Sequence, residues 1–286
     1  MITNNSFGKA KTNCIINLLA ASLIFLSGLI LSSSMVHAQG PMPSEIAKDM
    51  ISTNAFTAPL NKSDIATDTG VVRTALNMRP SAIQLQVGKE YGSGNIIQIT
   101  NDKIYILTAR HVVKNWSESD NHYVIFFNGR VADAELVTMN DDFDAAIVSV
   151  STALLNDFDI MNLRSVAINL SATSTFDKEK NQIVIALDSN HRINAKEIQN
   201  YSYFGDDTGI GCKYVYGSVI NPNIMVAEYG YKMMYVKCDA HGGMSGGGVY
   251  DIYGNYMGIL VGGTDKGEMV AVRVSDIATM LKDYLD

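Results

Sequence analysis

Between Ser81 and Val274 the chain is written as short apolar runs, each closed by turn residues, and this pattern restricts it to an all-β architecture. The runs are Ala82–Val87, Asn95–Thr100, Lys103–Ala109, Tyr123–Phe127, Val131–Val137, Ala145–Val150, Gln182–Leu187, Lys213–Val219, Met233–Cys238, Gly248–Ile252, Tyr256–Val261 and Met269–Val274. The first alternates, as a strand with one face in water does. The second and third flank Asn101-Asp102 and read as a hairpin. Long helical patterns between the runs are missing, which argues against a parallel α/β sheet. One convincing helix follows the last run. Ser275 stands at its cap and Asp276 in its first turn, while Ile277, Met280, Leu281, Tyr284 and Leu285 share a face. With 286 residues and 47% hydrophobic content, the chain has ample material for a core.

The first residues have a different texture. Lys9 and Lys11 precede an apolar run from Ile15 to Leu31, and Val36-His37-Ala38 follows. This is the pattern of a secretory signal peptide, residues 1–38, cut after Ala38. The alternative is an uncleaved anchor, for which the run is short. A periplasmic or secreted protein with no stable membrane span after cleavage is expected. Residues 39–75 hold Pro41, Pro43 and Pro59 and one short helical pattern from Ser44 to Ile51; they read as a linker or pro-segment ahead of a domain spanning 76–286.

Cleavage removes two lysines and no acid, leaving 20 Lys and Arg against 29 Asp and Glu, a net charge of −9. So acidic a chain, without basic clusters, is a poor nucleic-acid binder. Cys212 and Cys238 remain after cleavage. In an exported protein they are expected to form a disulfide, the alternative being two buried thiols. Two cysteines are too few for a cysteine-based zinc site, and no metal or cofactor is expected.

Chemistry concentrates in three places. "GGMSGGG", Gly242–Gly248, lies between apolar runs, so it is a tight connection inside a core and not a spacer. A serine hydroxyl such as that of Ser245 needs a base, and the base needs an acid to hold its tautomer. His111, in "LTARHVV", ends an apolar strand on a rigid mount and is the expected base. The bland alternative is a histidine packed at a strand end. His122 and His191 lie in polar turns and are expected in solvent; His241 is too near Ser245 along the loop to act as its base. Asp144, in "NDDFDAAIVSV", stands at the entrance to an apolar strand, where shielding strengthens its bond to an imidazole. The N–H groups of Gly243 and Ser245 are the expected donors to an oxyanion. "GMSGG" also satisfies G-x-S-x-G, but a strand and not a helix follows, and no histidine comes after His241.

"LTARHVV", "DDFDAAIV" and "GGMSGGGVYDIYGNYMGI", in this order, resemble the trypsin-like serine peptidases of the chymotrypsin fold. The bacterial branch, with HtrA-type proteases and glutamyl endopeptidases, is closest in texture, and "GSG" at Gly92–Gly94 also fits it. The resemblance implies two six-stranded antiparallel barrels with a C-terminal helix. It implies an exported serine endopeptidase acting on polypeptides through His111, Asp144 and Ser245. The alternative is a catalytically silent peptide-binding module on the same fold. Met244 stands where animal relatives carry an Asp that pairs with a freed N-terminus, so that activation switch is absent. Gly248 replaces the usual proline, and with the chain ending at Asp286 no PDZ-type domain is expected to follow. Asp239, six residues before Ser245, occupies the place of the acid that reads Arg or Lys in trypsin-like relatives, the alternative being a structural Asp such as bacterial relatives often carry near there. With Val261 and Gly262 it is expected around the specificity pocket. "GILVGGT" lacks the histidine that glutamyl endopeptidases use there.

Overall fold

In the computed structural model the described residues are 77–168, 183–188, 213–264 and 266–285, with Val71, Thr74, Ala75 and Leu170. The expected signal peptide, nearly all of the linker segment with its helical pattern, His191 and Cys212 lie outside them.

The apolar runs pair as antiparallel strands in two sheets. The first contains β1 (Ala82–Val87), β2 (Glu90–Ile99), β3 (Lys103–Thr108), β4 (His122–Phe126), β5 (Val131–Asp133), β6 (Glu135–Met139) and β7 (Ala146–Ser151), in the order β5-β4-β1-β2-β3-β7-β6. The β2–β3 hairpin turns where expected, with Thr100 N–H donating to Lys103 O at 2.8 Å. The run at Val131–Val137 is not one strand. Ala134 breaks it, donating its N–H to His122 O on β4 at 2.9 Å, and from Glu135 the chain pairs with β7 instead. The two edges of the sheet are thus one residue apart in sequence. The sheet must curl until its edges nearly meet, helped by a bulge between Leu136 and Thr138. The six expected runs of this half form a curled sheet of seven strands, the fifth run being bent into two.

β1 also departs from the reading. All six of its residues are buried, Gln84 and Gln86 included. Its two edges pair with β2 and β4 and both of its faces are covered; the Gln86 amide donates to Gly88 O at 3.0 Å.

The second sheet closes into a six-stranded barrel of β8 (Ile183–Asp188), β9 (Lys213–Val226), β10 (Tyr231–Lys237), β11 (Gly248–Asp251), β12 (Tyr256–Thr264) and β13 (Glu268–Arg273), in the order β10-β13-β12-β11-β8-β9. The terminal segment is shorter and tighter than a full α-helix. A 3-10 turn at Val274–Ile277 leads into one α-turn, Ala278–Leu281, and a second 3-10 turn, Lys282–Tyr284. Arg273, not Ser275, stands at the cap position, and its guanidinium grips Asp276 through two bonds of 2.7 and 2.6 Å. The apolar face holds as read. Ile277 and Leu281 are buried, and Tyr284 stacks obliquely on Tyr105 of β3 at 5.1 Å. Among the described residues, no helix is long and apolar enough to cross a membrane.

Candidate active site

Strand register brings His111 and Asp144 together. β3 and β7 pair with Thr108 opposite Ala146. His111 lies three residues past Thr108 and Asp144 two before Ala146, so both emerge at the same end of the pair. α1 (Arg110–Val113) is a single turn anchored by buried Val112 and Val113. The Asn140 side-chain oxygen accepts the N–H groups of Asp142 and Phe143, each at 2.9 Å, and shapes the turn that presents Asp144.

Asp144 holds His111 twice. Oδ2 lies 2.7 Å from the ring Nδ1, and Oδ1 accepts the His111 backbone N–H at 2.8 Å. An ionised carboxylate only accepts, so the proton of this pair belongs on Nδ1, leaving Nε2 with its lone pair. The Asp144 side chain is 12% exposed and that of His111 38%.

Two residues missed in the sequence complete this corner. Asp144 N–H donates to Tyr231 Oη, on β10 of the second barrel, at 3.0 Å. Tyr231 sits edge-on to Phe143 and Tyr229, and Tyr229 Oη donates to Val261 O at 2.9 Å. Burial, and then the charge of Asp144, push the Tyr229 phenol up to about 12. Two tyrosines flanking Gly230 are visible in the sequence, but nothing local says which distant carboxylate they meet.

Ser245 sits in the loop between β10 and β11. Met244 N–H donates to His241 O and Gly247 N–H to Met244 O, at 3.2 and 2.9 Å, making two successive turns. Gly243 and Gly246 have φ of +99° and +91°, which side-chain-bearing residues rarely adopt. Gly246 N–H donates to Leu260 O on β12 at 2.7 Å, and Ser93 N–H on β2 donates to Ser245 O at 2.7 Å. A side-chain carbon at Gly246 would lie 2.1 Å from Ser93 O and 3.0 Å from the Ala109 nitrogen. The loop is therefore packed directly on the β3–α1 junction that carries His111. No hydrogen bond joins the Ser245 hydroxyl to His111 in this arrangement.

A cavity of about 250 Å³ opens beside Ser245, lined by Ala240, His241, Gly242, Leu260, Gly262, Gly263 and Thr264 as well. Of the residues expected around a specificity pocket, Gly262 lines it. Val261 is buried in the core, and Asp239 is exposed and outside the lining. His241 is exposed. His122, read as solvated, is buried: it stacks on Trp116 at 3.8 Å, receives Gly88 N–H on Nδ1 and reaches Ser117 O through Nε2. Its polar neighbours in sequence hid a strand beginning at that residue. Cys238 is a buried free thiol, pushed up to about 11 by burial and then by the charge of Asp239. It makes no disulfide here, and its expected partner Cys212 lies outside the described residues. Among the described residues no group of three or more His, Cys, Asp or Glu is placed to hold a metal ion.

Residues 92–259 match the family described as the trypsin-like peptidase domain, more than half of the chain. Solved structures share the architecture. One is the inactive form of a serine-to-alanine mutant of Rv3671c from M. tuberculosis H37Rv, at 15% identity and a TM-score of 0.53, covering 79% of this chain and 94% of that one. The inactive form of Rv3671c protease matches at 15% and 0.53, covering 79% and 98%. The serine endoprotease from Yersinia pestis matches at 18% and 0.51, covering 74% of this chain and 65% of that one. At such identities these likenesses speak to the fold. No curated protein matches the sequence.

Proposed function

Because the chain belongs to the trypsin-like peptidase domain family and is thereby a serine endopeptidase, we propose that Ser245, His111 and Asp144 carry its chemistry. Ser245 Oγ attacks the carbonyl carbon of a peptide bond while His111 Nε2 takes the hydroxyl proton. Asp144 keeps the other ring proton on Nδ1 and stabilises the imidazolium that forms. The carbonyl oxygen becomes negative and is held by the N–H groups of Gly243 and Ser245. His111 then passes its proton to the leaving amine, and water, activated by the same ring, releases the acyl group from Ser245. The observation that carries this reading is the doubly bonded His111–Asp144 pair with the Ser245 loop packed on the same strand junction. A Ser–His bond of this kind tightens in the Michaelis complex.

A fluorophosphonate probe should label the mature protein at Ser245, and peptide cleavage should fall on the order of 10⁶-fold in Ser245→Ala. Labelling that persists in Ser245→Ala would sink the assignment. A folded wild type that binds peptides, never labels and never cleaves would establish instead the silent binding module. We also propose export, with cleavage after Ala38; N-terminal sequencing of the protein recovered from outside the cytoplasm should begin at Gln39.

A further inference from the structure

The structure assigns to Ser93 a role that goes one step past the proposed catalytic residues and rests on that reading: we infer that it is a positioning residue for the oxyanion donors. Ser93 is fully buried on β2 and touches the nucleophile loop at two successive points. Its Oγ donates to Gly243 O at 2.9 Å, and its N–H donates to Ser245 O at 2.7 Å. Its own carbonyl accepts Thr108 Oγ1 at 2.7 Å, three residues before His111.

These bonds act on named peptide planes. Gly243 O belongs to the plane joining Gly243 to Met244, and Ser245 O to the plane joining Ser245 to Gly246. Between them lies the Met244–Ser245 plane, which carries the Ser245 N–H. The Gly242–Gly243 plane, carrying the other donor, adjoins the first. The 243–244 plane is pinned at its other end too, by Met244 N–H on His241 O. A glycine at 243 has no side chain to resist rotation, so the orientation of its carbonyl rests on the bond it receives. The Ser93 hydroxyl thus holds the carbonyl end of a plane whose amide end is held by His241 O, and through Ser93 O and Thr108 it links the loop to the strand that ends near His111. Donors of this kind act only when aimed in advance at the developing charge.

Ser93→Ala removes the hydroxyl and leaves the Ser93 N–H bond in place. On a peptide that the wild-type protein cleaves, kcat should fall roughly tenfold to hundredfold, with KM within twofold, because a donor displaced by about 1 Å costs transition-state binding and not ground-state binding. The fall should be equal across the pH profile, since the His111–Asp144 pair is untouched. Ser93→Thr, which restores a hydroxyl, should recover most of kcat. Circular dichroism at the assay temperature must show both variants folded. A kcat for Ser93→Ala within twofold of wild type overturns the inference. So does a loss confined to one limb of the pH profile, which would mark a disturbed histidine, or a loss that Ser93→Thr shares in full. A wild type that does not cleave would remove the catalytic reading itself, whereas a wild type that cleaves beside an unimpaired Ser93→Ala removes this inference alone.

Discussion

His111 depends on Asp144 through both carboxylate oxygens, one on the ring and one on the backbone. Asp144→Asn keeps the shape but offers one acceptor where two are used. If the amide oxygen stays on the backbone N–H, the NH₂ faces Nδ1 and forces the ring proton to Nε2, the nitrogen that must receive the Ser245 proton. The expected outcome is a fall in kcat on the order of 10⁴ with little change in KM or melting temperature, read by steady-state cleavage of a peptide substrate. A kcat within tenfold of wild type would show that Asp144 is not the orienting acid. The meeting of His111 with Asp144, and the packing of the Ser245 loop on the same junction, were legible because each lies beside an apolar run whose existence patterning reveals. Tyr231 and Ser93 were not, since their roles arise from pairings across the fold that leave no local mark. For Asp239, distance along the chain and place in the fold differ. Its distance from Ser245 along the chain suggested a pocket wall, but the turn at Asp239 leaves the side chain in solvent while the backbone around Gly262 lines the cavity.

At the level of strands, glycine marks where two backbones approach too closely for any side chain. A carbon at Gly258 of β12 would lie 2.2 Å from Val272 O and 3.1 Å from Val272 C on β13. Both are backbone atoms of a closed barrel, so neither can swing away. Gly258→Ala should therefore push β12 and β13 apart where they pair in the barrel wall. Overpacking of this kind costs about 3 kcal/mol. For a domain of this size that corresponds to a fall in melting temperature of roughly 6–12 °C, measured by thermal circular dichroism. A variant that melts with wild type would mean the barrel yields at this seam. Strand existence was legible throughout, but strand ends were not. β9 runs on through Pro222 to Val226, beyond the run that ended at Val219, because the register with β10 shifts around Tyr235 and a bulge accommodates a residue with no N–H to pair. The break at Ala134 and the tight turns at the C-terminus have the same origin. A change of strand partner and an Arg273–Asp276 clasp are decided by tertiary neighbours, and periodicity does not carry that information.

Across the whole molecule, among the described residues, the acids that burial pushes up include phenols, one thiol and the Asp251 carboxyl, and in the alkaline range only the phenols and the thiol matter. Cys238 is pushed up from 9.0 to about 11 and Tyr229 from 10.0 to about 12, in both cases chiefly by desolvation. Tyr231 and Tyr256 move in the same direction for the same first cause. The sign of the effect on stability follows from which state keeps its protons. Below about pH 8 these groups are largely neutral whether the chain is folded or unfolded, and their contribution is fully present. Above it the unfolded chain releases protons that the folded chain retains, so each rise in pH favours unfolding until the folded groups also titrate, near 11 for the thiol and 12 for Tyr229. The contributions have one sign and come from both ends of the second barrel, so they add instead of cancelling. The urea midpoint should accordingly fall between about pH 8 and about pH 10.5 with the slope of the transition unchanged, because the surface exposed on unfolding stays the same. Cys238→Ala should lose some of that dependence and Tyr229→Phe a further share. A midpoint that is flat over this interval, or a double variant whose midpoint falls as steeply as wild type, would mean that water reaches these groups in the folded protein and that the second barrel is less tightly closed than its pairing implies.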